Sequence, residues 1–458
     1  MYPLKGSPEN YGLHAGILSP IETLAQSVSA MAPSTSPSLT IPLVFALAGN
    51  ATWFVYLLAT GATLLVGFCV SRFARLSASP GSLYTYTAST LPPFFGVVAA
   101  WGLLVAYLAT GASVAGGALY YTNLLAQQFL HFTPSALLTL ALVCAVSGFV
   151  AYRDVKLSAE LMLWIEVGSV SLIALVLAVM LVRYGLHFDL DQFRLKGVSL
   201  SALGPALVLS MFSFVGFESA TTLGGEAREP LRTIPRAVIQ CAVLAGVFFM
   251  LCSYSEVLGF RGESGKLSES TSPLHLLANK AGISPLGVAI DFGALISMAA
   301  CVLACTTAAA RVLLRMAHGG LLPRAFEHTT RKHGTPGLAI VFSAGLMFAS
   351  TAVMVGRGVS GSDMYDLLGS LSVFGFLTAY GLVAVALPFA RRALGQHSPF
   401  VAATSAFTVI VLILIAVFDL RSSADEIHAR IPYIYLAYIT AGVTWYAIRR
   451  NRLEVVAE

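Results

Sequence analysis

Gly216, Phe217, Glu218 and Ser219 set a flexible link, an aromatic ring, a carboxylate and a hydroxyl side by side within the stretch Leu200 to Arg236. The first half of that stretch is apolar and long enough to enter a bilayer. A carboxylate at bilayer depth costs about 2.5 kcal/mol or more on insertion, so such groups sit in a cavity or on a pathway. A glycine beside it lets a helix unwind and leaves peptide groups free for a ligand. The chemistry that fits is half of a transport site, with Val215, Gly216 and Glu218 at its centre. The plainer alternative is a kinked structural helix whose glutamate pairs with a neighbour. Beyond Gly224, Gly225 and Glu226 the chain leaves through a basic segment, Arg228 to Arg236, fixed by Pro230 and Pro235.

A second interruption lies near the start. Ala32 to Ser38 reads APSTSPS, and Pro33, Pro37 and Pro42 follow one another closely. Prolines remove backbone donors and free carbonyls a turn earlier. In hydrocarbon such a break survives only where protein or a water-filled cavity satisfies those groups. Interrupted helices at the first and sixth positions predict two halves of five helices with a site between them, the pattern of an inverted-repeat transporter.

The elements that must position these residues are membrane helices. Hydrophobic residues make up 57% of the 458-residue chain, charged residues 11%, and mean hydropathy is +0.80. That composition excludes a soluble domain and predicts an all-α integral membrane protein. Apolar runs predict twelve spans: 21–47, 51–71, 94–127, 134–152, 160–184, 202–224, 236–260, 286–317, 336–356, 365–390, 399–418 and 432–449. Grouped, they give an N-terminal segment 1–20, a first repeat 21–184, a second repeat 202–390, two added helices 399–449 and a tail 450–458. The third and eighth spans exceed the bilayer thickness, which predicts tilt or extension.

With both termini cytoplasmic, eighteen Lys and Arg fall inside and nine outside, accounting for all 27. This bias sets the expected topology. The net charge of +5 is therefore a matter of loops and not of nucleic acid. The first twenty residues carry no apolar core of a cleavable signal. All six cysteines lie in apolar runs, which predicts packing thiols and no disulfides. Between the second and third spans, Tyr84 and Tyr86 are expected at headgroup level. Ser272-Pro273 before LHLLANK predicts a short N-capped helix over the outer vestibule, either a lid or an ordinary loop helix.

Catalytic motifs fail on inspection. Gly262 to Lys266 has the wrong spacing for a phosphate loop, no HExxH, GxSxG or paired Cys-x-x-Cys occurs, and most histidines lie in loops. No cofactor, metal centre or catalytic set is expected.

The segment FSFVGFESATTLGGEAREPLRTIPRAV, Phe212 to Val238, resembles the sixth-helix signature of the amino acid–polyamine–organocation permeases. ARLSASPGSLYTY, WGLLVAYL and GGLLPRAF followed by Thr335-Pro336 extend the resemblance over nearly the whole chain. It implies the leucine-transporter fold, with substrate held at the broken first and sixth helices. Pro33, Ser34, Thr35 and Ser36 then take the first-helix break, whose amides meet a substrate carboxylate. Carbonyls around Phe212 and Val215 receive the ammonium, the Phe212 ring is the gate, and Tyr107 lines the cavity. Relatives have Gly-small-Gly where this chain has Thr35-Ser36-Pro37, so hydroxyls replace one amide contact. The fifth-helix lysine of several proton-coupled relatives falls here on Ser169, with Glu166 within a turn.

The expectation is a secondary-active permease for an amino acid or related amine in a bacterial-type plasma membrane, coupled to protons. Glu218, Glu166 and Asp291 are the proton-coupling candidates, and Asp291 or Glu218 would also partner an amine substrate. Sodium is the alternative ion, with Ser297, Thr306 and Thr307 as oxygen donors. An exchanger is the second reading within the class. A non-transporting sensor or a membrane enzyme has less to stand on, because neither an output domain nor a catalytic set is visible.

Overall fold

A computed structural model describes residues 11–183, 189–262, 267–422 and 427–457. Among them, ten helical runs are long and apolar enough to cross a membrane, and one of these, Pro20–Ala74, holds several consecutive helices.

Helix α1 (Pro20–Met31) starts with proline at its first position and a capping box. The Ser19 hydroxyl accepts from the Glu22 amide (3.3 Å), and the Glu22 carboxylate accepts from the Ser19 amide (2.6 Å). It stops at Ala32, which adopts a left-handed φ of 46°. A π-helical turn, Ser36–Thr40, with Pro37 inside it, restarts the chain into α2 (Ile41–Ala48). The expected first-helix break is therefore present. Helices α3 (Thr52–Ala74), α4 (Ser82–Ala88), α5 (Pro93–Leu130), α6 (Ala136–Arg153) and α7 (Val155–Arg183) follow.

After the short α8 (Leu190–Phe193), α9 (Leu200–Phe212) ends where the sequence motif begins. Turns carry the chain to a 3-10 segment, Ser219–Leu223. Next come α10 (Pro230–Gly259), α11 (Pro273–Lys280), α12 (Ser284–His318), α13 (Gly337–Gly356), α14 (Gly361–Ala393), α15 (Pro399–Ser422) and α16 (Ile431–Ala457). The third and eighth expected spans are the 38-residue α5 and the 35-residue α12. At 1.5 Å per residue, about 57 and 53 Å, both exceed a hydrocarbon core of about 30 Å.

Helices α5 and α14 form a closely packed pair. A Cβ on Gly361 would lie 2.6 Å from the Gly116 carbonyl oxygen, and one on Gly375 would lie 2.5 Å from that of Gly102. Small residues let two membrane helices meet backbone to backbone in this way. The pair forms a rigid wall that carries Tyr107 and Tyr380.

Two local expectations are corrected. Tyr84 and Tyr86 are buried and not interfacial, because α4 packs on α5 and the Tyr86 ring stacks on Phe73 at 5.2 Å. Helix α11 exists with proline at its first position, but the Ser272 hydroxyl does not cap it. It donates instead to Asp291 Oδ1 at 2.6 Å, where a carboxylate is the stronger acceptor.

Candidate substrate site

The two broken helices touch at their breaks. Gly216 has φ +90°, and a Cβ there would lie 2.9 Å from both the Cβ and the carbonyl oxygen of Ala30. Glycine is required twice over, for the dihedral and for the close approach. Below this contact the second half of the sixth segment runs beside α1. The Ser219 hydroxyl donates to the Gln26 carbonyl (3.0 Å), and the Ala220 amide donates to Ser27 Oγ (2.9 Å).

Between the breaks lies a cavity of about 10 Å³, room for about one water molecule. Thr35 and Ser36 line it from the first break, and Phe212, Ser213 and Val215 line it from the sixth. Thr110 and Val114 of α5, Cys301 of α12 and Tyr365 of α14 close the other sides. Three helix ends meet at this space: the start of the Ser36 turn, with partial positive charge, and the ends of α1 and α9, with partial negative charge. The charge pattern around this space, not its present volume, suits a zwitterion, carboxylate toward the first and ammonium toward the other two. The Ser34 and Thr35 hydroxyls are buried with no hydrogen-bond partner among the described residues, so they are unspent polar groups at the break. The Phe212 ring packs edge-on against Tyr365 at 5.2 Å and fills the space over Gly369.

Glu218 does not face this cavity. Its carboxyl group is buried and accepts from Tyr107 Oη at 2.8 Å and Tyr380 Oη at 2.5 Å. Tyr107 is therefore a partner of Glu218 and not a lining residue. Together the two tyrosines pin the broken sixth segment to the α5–α14 wall.

Glu166 lies elsewhere, between α7, α1 and α12. It accepts from Ser29 Oγ at 3.3 Å and from Ser297 Oγ at 3.0 and 2.9 Å. Ser29 is in the last turn before the first break, so this carboxyl group joins a broken helix to two continuous ones. Ser169 donates to the Gly293 carbonyl at 3.0 Å.

The sodium donors do not converge. Ser297 and Thr306 are nine residues apart on one helix, about 13.5 Å along its axis. The Thr306 hydroxyl is spent on the Val302 carbonyl at 2.7 Å, whereas that of Thr307 is buried without a partner. Asp291 is not brought to the cavity either; Ser272 and His275 of the α11 region hold it, the latter at 2.6 Å. Tyr365, Tyr380, Thr110 and Ser213 went unnoticed in the sequence. Each is a single hydroxyl in an apolar helix, and only tertiary packing marks it out.

A bundle of long apolar helices with a polar site at two abutting breaks is the architecture of a membrane transporter. Residues 18–443 match the family described as Amino acid permease, and the chain belongs to that family. It is 24% identical over 363 residues to a branched-chain amino acid permease of Bacillus subtilis, covering 75% of this chain and 74% of the relative. It is 29% identical over 300 residues to a low-affinity putrescine importer of Escherichia coli, covering 62% of this chain and 64% of the relative. A solved structure of a manganese transporter variant from Eremococcus coleocola superposes with TM-score 0.61 at 12% identity, covering 97% of each chain, which shows a shared fold. These relatives are named as permeases and transporters and not as enzymes.

Proposed function

We propose that the protein is a secondary-active permease that moves a neutral amino acid across the plasma membrane by alternating access, driven by protons. The observation that carries this reading is the convergence of one helix start and two helix ends on a single enclosed cavity. Opposed half-charges on one small cavity match the α-carboxylate and α-ammonium of an amino acid. Among the described residues no acidic side chain lines the cavity, and both oxygens of Glu218 are taken by tyrosine hydroxyls. A second ammonium, as in a diamine, would be buried there unpaired, which favours neutral amino acids over polyamines. Twelve crossings in two inverted five-helix repeats, with both termini cytoplasmic, complete the reading.

Glu166 is the proton carrier in this scheme. It takes the place a coupling ion needs, between the last turn before the first break and the continuous helix α12, and it is held only by hydroxyls. Gain or loss of its proton changes whether Ser29 is held, and so whether α1 is tied to α7 and α12.

Uptake by vesicles containing the purified protein tests both parts. Neutral amino acids are expected to accumulate, their decarboxylated analogues to bind about ten- to a hundredfold more weakly, and uptake to survive replacement of sodium by choline. Preference for the amines would sink the zwitterion reading, and strict sodium dependence would sink the coupling. Glu166→Gln is expected to bind substrate but lose accumulation against a gradient. Phe212→Ala is expected to impair transport more than folding, and a wild-type rate would remove Phe212 from the gate.

A further inference from the structure

Glu256 is a buried acid for which the site above has no use. It stands on α10 one turn before the helix ends at Gly259, fully buried, and neither carboxyl oxygen has a hydrogen-bond partner among the described residues. The other buried acids among the described residues are all held. Glu22 has Ser19, Glu166 has two serines, Glu218 two tyrosines, Glu226 an arginine, and Asp291 a serine and a histidine. A carboxylate taken from water with neither donor nor cation is disfavoured; such a group belongs where it can exchange a cation.

Among the described residues, no Lys or Arg pairs with it. Tyr56 of α3 and Cys252 of α10 are the ionisable side chains within its electrostatic reach. Of the other elements packed on α10, α7 directs Glu166 to Ser29 and Ser297, α1 directs Glu22 to Ser19, and α11 directs His275 to Asp291. The Ser36–Thr40 turn contributes hydroxyls, and the Ser219–Leu223 segment begins at Glu218, which the tyrosines occupy. Basic groups at this end of α10 are engaged: Lys280 donates to the Gly259 carbonyl and lies over the Phe260 ring, and Arg261 pairs with Asp189 and Asp191.

Two hydroxyls lead from the cavity toward the face of α10 that carries Glu256. Ser213 lines the cavity and shares a hydrogen bond of 3.1 Å with Tyr56 Oη, and the Tyr56 ring packs on Phe249 at 5.8 Å, two turns before Glu256 on the same face of α10. A proton fits this setting better than a divalent metal ion. A metal ion needs several oxygen or nitrogen ligands, whereas no group of three His, Cys, Asp or Glu side chains suited to one occurs among the described residues.

We propose that Glu256 is a second proton-carrying site, loaded and emptied through the cavity by way of Ser213 and Tyr56, so that its proton travels with the substrate. The carboxylate gains a proton from water in the cavity on one side of the membrane and returns it on the other, without bonding to substrate. This rests on the proton-driven reading above.

The test uses the full chain in liposomes with an imposed pH difference of one unit, no membrane potential, and radiolabelled alanine and leucine as probes. Each proton carried per cycle multiplies the accumulation plateau about tenfold. Glu256→Gln is expected to lower the plateau about tenfold relative to wild type while leaving gradient-driven uptake through Glu166. A wild-type plateau that ignores the pH difference sinks the proton-driven reading and this proposal with it. A wild-type plateau that follows pH, matched by that of Glu256→Gln, sinks this proposal alone. Infrared difference spectra of the purified protein need no transport: Glu256→Gln is expected to remove one protonated-carboxyl band, and an unchanged spectrum overturns the assignment. Should Glu256→Gln fail to fold, Tyr56→Phe serves; it is expected to slow the approach to the plateau, and an unchanged rate overturns the route.

Discussion

The two ends of the molecule are closed by different chemistry. At the end where Tyr11 packs edge-on against His318, Leu18 exchanges backbone hydrogen bonds with Glu226 (3.1 Å) and Arg228 (2.9 Å). Beneath that pairing, Arg311 makes two 2.6 Å bonds to the Glu226 carboxylate and a 2.9 Å bond to the Thr307 carbonyl, all in full burial. At the other end the closure is lighter. His275, 17% exposed, meets a buried Asp291, and Arg261, 38% exposed, contacts Asp189 and Asp191 near the surface. A buried bidentate pair resists separation because either partner left alone is an uncompensated charge, whereas an exposed pair is resolvated as it parts. The difference teaches that the Leu18–Arg311 end is latched in this conformation; under the proposed alternating access, the α11 end is expected to open at lower cost.

Breaking the latch carries the largest expected effect. Arg311→Leu leaves Glu226 buried and alone and is expected to cost about 3–5 kcal/mol, read as loss of thermal stability in detergent. Arg311→Met combined with Glu226→Leu is expected to recover much of that stability, because both charges go together. If the double variant is as unstable as the single one, the pair is not what the stability depends on. Tyr380→Phe comes next. Removing one of the two hydroxyls on Glu218 is expected to cost about 1–3 kcal/mol and to raise labelling of cysteines introduced along Ser219–Leu223. No change in either measurement would mean that the sixth segment is held by its contacts with α1 alone. The smallest effect is expected at the lighter end, where Arg261→Ala should cost about 1 kcal/mol or less and speed opening there. A loss as large as that of Arg311→Leu would overturn the comparison between the ends.

Much of the transport machinery was legible in local pattern, and its wiring was not. The prolines around Ser34 and the glycine before Glu218 announced both breaks, because helix interruption is a property of a few adjacent residues. The role of Glu218 was only half visible. Its burial followed from the apolar run, but its partners, Tyr107 and Tyr380, lie 111 and 162 residues before and after it. Ser297 was read as a sodium donor and is instead the partner of Glu166, a pairing that spans 131 residues. Tyr84 and Tyr86 misled for the opposite reason. Tyrosines beside arginines favour the headgroup layer, yet the α4 turn folds back on α5 and buries them.

By itself the sequence determined the solvent, the helices, the two breaks and the family, because hydropathy, proline, glycine and short motifs act over a turn or two of chain. Tertiary structure alone decided which acids are pinned, latched or left without a partner. Glu218, Glu226, Glu166 and Glu256 are the same side chain, and although Glu226 stands beside a basic segment, nothing in their immediate neighbours says which partner each meets. What separates them is which helix crosses opposite, tyrosines for one, arginine for another, serines for a third, none for the last. Those crossings are fixed by small residues such as Gly102, Gly361 and Gly375 that let distant helices close to backbone contact.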